Sequence, residues 1–182
     1  MTSHPRFGVN GWLRPEEGDT LCEYARNSPG TIVEIGCFQG KSALNIARGL
    51  VHRDKPPKFY SVDPHTPVDG KQFGPKDMVQ CYENLAKWPE YGQHVRRICA
   101  PSWMAARMFG AGEVSMLFID GDHTTEGVSS DLWNWRKTLP IGGHVLFHDH
   151  GMASVKKAIS QFDWLHLTGK PNATLGIYEV RP

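Results

Sequence analysis

Two short runs of this 182-residue chain hold side chains able to move protons: Asp120-Gly121-Asp122-His123 and His148-Asp149-His150. Each closes an apolar stretch, Ser115 to Ile119 and His144 to His148, of a length that suits a buried strand. Adjacent parallel strands end about 5 Å apart, so carboxylates and imidazoles at their ends can converge. A neutral imidazole accepts a proton from a hydroxyl near neutral pH, which makes His123 a candidate general base. A structural use competes with it: Asp122 to Glu126 could start a helix and leave His123 merely exposed.

A second kind of chemistry is written earlier, in Glu34-Ile35-Gly36-Cys37-Phe38-Gln39-Gly40-Lys41-Ser42. Thr31, Ile32, Val33 and Ile35 are β-branched and suit an enclosed strand. Gly36 and Gly40 permit a tight turn and close approach to a ligand. Ala43, Ile46, Ala47 and Leu50 then recur at helical spacing. Strand, glycine turn and helix N-terminus together form a nucleotide-type cofactor site. The run is one residue short of a P-loop, and Phe38 stands where a dinucleotide fingerprint needs glycine. Glu34, a carboxylate two positions before the first glycine, suits a cationic group such as the α-amino group of S-adenosylmethionine. One βα unit later, Asp63 ends Ser61-Val62-Asp63, where a carboxylate can accept hydrogen bonds from ribose hydroxyls. Capping the turn before Pro64 is its alternative use.

The elements that must position these residues alternate regularly. Helices are expected near 15–27, 41–50, 77–88, 102–109, 126–137 and 152–160. Strands are expected near 31–36, 58–62, 94–100, 115–119 and 144–148, followed by an antiparallel pair at 161–167 and 174–180. Repeated βα units ending in a hairpin imply a single-domain α/β fold over residues 1–182. Its sheet is Rossmann-like, doubly wound, seven-stranded and mostly parallel, with helices on both faces. Ligands of such sheets sit at the carboxyl ends of the strands, where Glu34, Asp63, Asp120 and Asp149 fall.

The motif from Glu34 to Leu44 resembles the first motif of class I S-adenosylmethionine-dependent methyltransferases. It is most similar to the small O-methyltransferase branch, with the catechol, caffeoyl-CoA and bacterial sugar enzymes. That branch accommodates Phe38, and the likeness covers about residues 8 to 180. It implies cofactor contacts from Glu34, Gly36, Cys37, Phe38, Gly40, Ser42 and Asp63, and from Ser102 and Trp103 beside the adenine. Ser102 also suits a helix N-cap, and Trp103 equally suits core or surface packing. The resemblance further implies a divalent metal on Asp120, Asp149 and a third residue that grips the acceptor hydroxyl. The family uses Asn or Asp as that third ligand; here the position holds His150, or its neighbour His148, which favours Mn, Fe, Co, Ni or Zn over Mg. Without a metal, Asp120 is left to bind the methionine end of the cofactor. His123 falls where catechol-type enzymes place a catalytic lysine, and Asp122 rivals it, as in some sugar enzymes.

The implied activity is methyl transfer to a hydroxyl of a small molecule, a sugar, phenol or other metabolite. Two other classes stay open: a related enzyme with N-methylating or metal-assisted hydroxylase-like chemistry, and a cofactor-binding module without catalysis. A net charge of +1 gives no electrostatic footprint for nucleic acid or membrane. Cys22, Cys37, Cys81 and Cys99 form no CxxC pair, which suits reduced thiols in the cytoplasm. No apolar run reaches transmembrane length, and the polar start does not read as a signal peptide. Trp12, Phe73 and Trp164 are candidate walls for the acceptor, and homo-oligomer formation is left open.

Overall fold

The central strands, Thr31–Ile35 and Val114–Ile119, are buried along their whole length, which requires a helical layer on each side of the sheet. A computed structural model of the chain describes residues 7–66, 73–170, 172 and 174–182. In chain order its elements are α1 (Pro15–Asn27), β1 (Thr31–Ile35), α2 (Lys41–Arg48), β2 (Phe59–Val62), α3 (Pro75–Lys87), α4 (Pro89–Gly92) and β3 (Val95–Ile98). They continue with α5 (Ser102–Ala105), β4 (Val114–Ile119), α6 (Thr125–Trp135), β5 (His144–Phe147), α7 (Ala153–Ile159), β6 (Leu165–Gly169) and β7 (Gly176–Val180). Short 3-10 turns extend α5 and α6.

The seven strands lie in the order β3-β2-β1-β4-β5-β7-β6. The first five are parallel, and β7 runs antiparallel between β5 and β6. Strand order reverses between β1 and β4, so the crevice above their carboxyl ends is the ligand position of a doubly wound sheet. Alternation along the strands divides the core in two. Val33, Ile35, Leu117, Ile119, Val145 and Phe147 pack against α5, α6 and α7 through Ala105, Leu132, Trp135 and Val155. Ile32, Met116, Phe118 and Leu146 pack against α1, α2 and α3 through Leu21, Leu44, Ile46 and Cys81.

Two elements differ from the sequence expectation. The edge strand β6 begins at Leu165 rather than near 161, because the chain after α7 turns and sends Phe162 into the core. Trp164 goes with it, packing under Arg136 at 4.7 Å, and does not line the ligand cavity. The turn of α4, started by Pro89, was not anticipated.

Candidate active site

The carboxyl ends of β1, β2, β4 and β5 open into one cavity of about 570 Å³. Its floor is the glycine turn after β1. Gly36 has φ +87°, and a Cβ there would sit 2.1 Å from the Asp120 carbonyl oxygen. Only glycine lets β1 and β4 approach this closely at the switch point. Gly40, at φ +89°, then opens α2. Between them Cys37 and Phe38 present successive backbone N–H groups, both donated to Asp63 Oδ2, at 2.8 and 2.9 Å. Asp63 Oδ1 accepts from the His65 N–H at 2.7 Å. The Asp63 carboxylate thus ties the end of β2 to the turn, while lining the cavity with Gly36, Cys37, Phe38 and Ser42. The Cys37 thiol points away into the core, 3.2 Å from Cys81 Sγ.

Glu34 is corrected. It lies inside β1, so its side chain leaves the face of the sheet rather than the strand end. It is fully buried, outside the cavity lining, and accepts a 2.7 Å hydrogen bond from the Ser61 hydroxyl, with Ser42 also beside it. Burial pushes its pKa up to about 7, against the lowering effect of the serine hydroxyls. Direct contact with a cofactor amino group does not follow from this position.

Ser102 and Trp103 both reach the cavity wall. The Ser102 hydroxyl accepts from Trp135 Nε1 at 2.8 Å and does not cap α5. Trp103 is half exposed, with Arg107 5.3 Å from its ring centre. Beside them lies Asp131, which no motif in the chain singles out. It is buried, lines the cavity, and burial pushes its pKa up to about 7. Across the cavity mouth, Trp12, Phe38 and Phe73 make a ring cluster with centroids 5.2 to 6.4 Å apart. Lys41 Nζ holds the Trp12 segment by donating to the Gly11 carbonyl at 2.9 Å. Thr66 lines the cavity together with Phe73, and residues 67–72 between them lie outside the described ones.

The polar centre combines both C-terminal runs. Asp120 Oδ1 lies 3.0 Å from His148 Nδ1 and 3.3 Å from His123 Nε2. Asp149 Oδ2 lies 3.6 Å from each of these nitrogens. His150 does not join them; of the two histidines expected as the third ligand, His148 is the one beside Asp120 and Asp149. Asp149 has φ +50°, which breaks the strand's alternation and swings the next side chain under the sheet. His150 Nε2 there meets the Tyr178 hydroxyl at 2.9 Å. Burial and the charges of Lys170 and Lys156 push the pKa of His150 down. His123 and His148 shift the other way. Burial alone would lower them, but the Asp120 and Asp149 carboxylates outweigh it, raising His123 and taking His148 to about 12. His148 is therefore a cation near neutral pH, and the shift of His123 is towards its protonated form, away from the neutral base expected of it. Asp122 is committed to the start of α6: its Oδ1 accepts from the Thr124 N–H at 2.8 Å, and Thr124 caps the helix. Glu17 is the participant that sequence reading missed. It is fully buried in the first turn of α1, with Oε2 3.3 Å from His148 Nε2.

Comparison with solved structures gives the same architecture. The O-methyltransferase NovP superposes with a TM-score of 0.73 at 15% identity, over 92% of this chain and 80% of NovP. An O-methyltransferase from Bacillus cereus in complex with SAH gives 0.69 at 14% identity, over 96% and 84%. SAH-bound methyltransferase PaMTH1 from Podospora anserina gives 0.72 at 17%, over 94% and 80%. At these identities the likeness is one of fold. The family described as a methyltransferase domain matches residues 33–150. That match runs from within β1 to just past β5, taking in every strand end that opens on the cavity, and the chain belongs to the methyltransferase domain family.

Proposed function

We propose that this methyltransferase moves a methyl group from S-adenosylmethionine to a hydroxyl of a small molecule. One observation carries the reading: the glycine turn braced by Asp63 and the Asp120–His123–His148–Asp149 centre open on the same cavity. A cofactor seated over the turn brings its sulfonium methyl towards the polar centre. The Asp63 carboxylate, with its remaining lone pairs, suits the ribose hydroxyls, and Ser102, Trp103 and Asp131 suit the base. Two of the similar structures, NovP and the Bacillus cereus enzyme, are O-methyltransferases, and the latter and the methyltransferase PaMTH1 hold SAH, which supports the same reaction class.

The reaction is a direct displacement, and most of its acceleration comes from holding oxygen and methyl in line. As the oxygen–methyl bond forms and the methyl–sulfur bond breaks, the hydroxyl proton passes to a carboxylate of the polar centre, Asp120 or Asp149, both of which line the cavity. The residues fit a divalent metal: His123 Nε2 and His148 Nδ1 are buried without a hydrogen-bond partner, facing two carboxylates. Asp120, His123, His148 and Asp149 would hold it, and when bound it supplies Lewis acidity that lowers the hydroxyl's pKa. Trp12, Phe38 and Phe73 give the acceptor an apolar wall, which suits a small ring-bearing alcohol or phenol. A net charge of +1 gives no basic footprint for nucleic acid. Among the described residues no helix is long and apolar enough to cross a membrane. The four free thiols are consistent with work in the cytoplasm.

The test is turnover. Incubation with S-adenosylmethionine and a panel of phenols, catechols and sugars should yield a methyl ether and S-adenosylhomocysteine in equal amounts by mass spectrometry. Saturable cofactor binding with methylation found only on nitrogen acceptors would contradict it.

A further inference from the structure

The polar centre has the two layers of a metal site, and the outer layer comes from a distant helix. One ligand atom each from Asp120, His123 and His148 lies within 4.8 Å of the others. The His123 Nε2 and His148 Nδ1 atoms are 3.0 to 3.6 Å from carboxylate oxygens, yet neither aligns to make a hydrogen bond. Two imidazole nitrogens and carboxylate oxygens that converge this closely suit a cation shared by them. Behind them stands Glu17, 131 residues from His148 in sequence and 3.3 Å from its Nε2. Its carboxylate is fixed in turn by the Arg14 N–H at 2.8 Å and by the Thr174 hydroxyl. A buried carboxylate behind a histidine draws the ring proton to the rear nitrogen and leaves the front lone pair for a metal.

We propose that Glu17 is the positioning carboxylate of a two-histidine, two-carboxylate site for a divalent first-row transition ion. By holding the His148 proton at Nε2, it commits Nδ1 to the ion. Imidazole nitrogens suit Mn, Fe, Co, Ni or Zn, whereas Mg seeks oxygen ligands and keeps its waters. The inference rests on the methyl-transfer reading and names what activates the acceptor hydroxyl within it.

Chelator-treated protein titrated by calorimetry with Co(II), Mn(II) and Mg(II), with the Co(II) visible spectrum followed in parallel, tests it. Co(II) should bind one per chain, about 100-fold or more tighter than Mg(II). Glu17→Gln should weaken Co(II) binding about 10- to 100-fold and shift the band, and Glu17→Asp should restore part of both. Unfolding midpoints taken alongside separate a lost fold from a lost ligand. His123→Ala, on the more open side of the centre, should also weaken Co(II) binding if the Glu17 variants do not fold. Equal affinity for Co(II) and Mg(II), or a folded Glu17→Gln that binds Co(II) like the parent, would overturn the proposal. S-adenosylmethionine binding is measured on the same samples. Cofactor binding and turnover without metal binding would overturn this inference alone, whereas absent cofactor binding would overturn the methyl-transfer reading.

Discussion

A carboxyl group sealed under the glycine turn makes stability depend on pH. Glu34 is fully buried, and its pKa in the folded chain stands at about 7, above the 4.5 of an exposed glutamate. The folded state therefore keeps a proton that the unfolded chain has already released. The contribution of Glu34 to stability is fullest below pH 4.5 and is lost as the pH rises through 7, by a total on the order of 3 kcal/mol. Glu34→Gln keeps the shape and can still bond the Ser61 and Ser42 hydroxyls without ionising. Urea unfolding at pH 5 and pH 8 should show the variant gaining stability over the parent only at the higher pH. A constant difference at both pH values would contradict the assignment. Much of the site was legible as residue types: Asp63, Asp120, His123 and Asp149 sit at strand ends, where carboxyl-terminal crevices bind ligands. What was not legible depends on backbone detail. His148 rather than His150 faces the centre, with Asp149 between them at a positive φ, a conformation that no periodicity announces. Glu17 was hidden because nothing local links the first turn of α1 to the end of β5.

Elements are placed by contacts that a single atom can disturb. β1 and β4 end against each other at Gly36, where an added Cβ would stand 2.1 Å from the Asp120 carbonyl oxygen at a φ of +87°. Gly36→Ala must displace either the turn or the β4 end that carries Asp120. A loss of stability of about 2 kcal/mol or more is expected, together with loss of S-adenosylmethionine binding in whatever fraction stays folded. Thermal unfolding and calorimetry on one preparation check both, and a variant that folds and binds like the parent would contradict the packing described. At this scale the sequence was most informative where periodicity was long. The β-branched run of β1 and the helical spacing after Lys41 marked a strand, a turn and a helix correctly. It was least informative at the sheet edge. Phe162 and Trp164 read as strand residues, but they pack as a turn against the core before β6 begins. Apolar content alone does not separate a short strand from a packed turn.

For the whole molecule, the order β3-β2-β1-β4-β5-β7-β6 brings four strand ends, two acidic runs and the first helix to one cavity. The central claim is that this cavity binds S-adenosylmethionine across the turn braced by Asp63. Asp63→Ala would leave the N–H groups of Cys37, Phe38 and His65 without their acceptor, so the turn should loosen and affinity should drop. The most direct measurement is calorimetric titration of S-adenosylmethionine into the parent protein and Asp63→Ala. The account predicts saturable binding at one site per chain, weakened about tenfold or more in the variant. Absence of binding to the folded parent protein would contradict it.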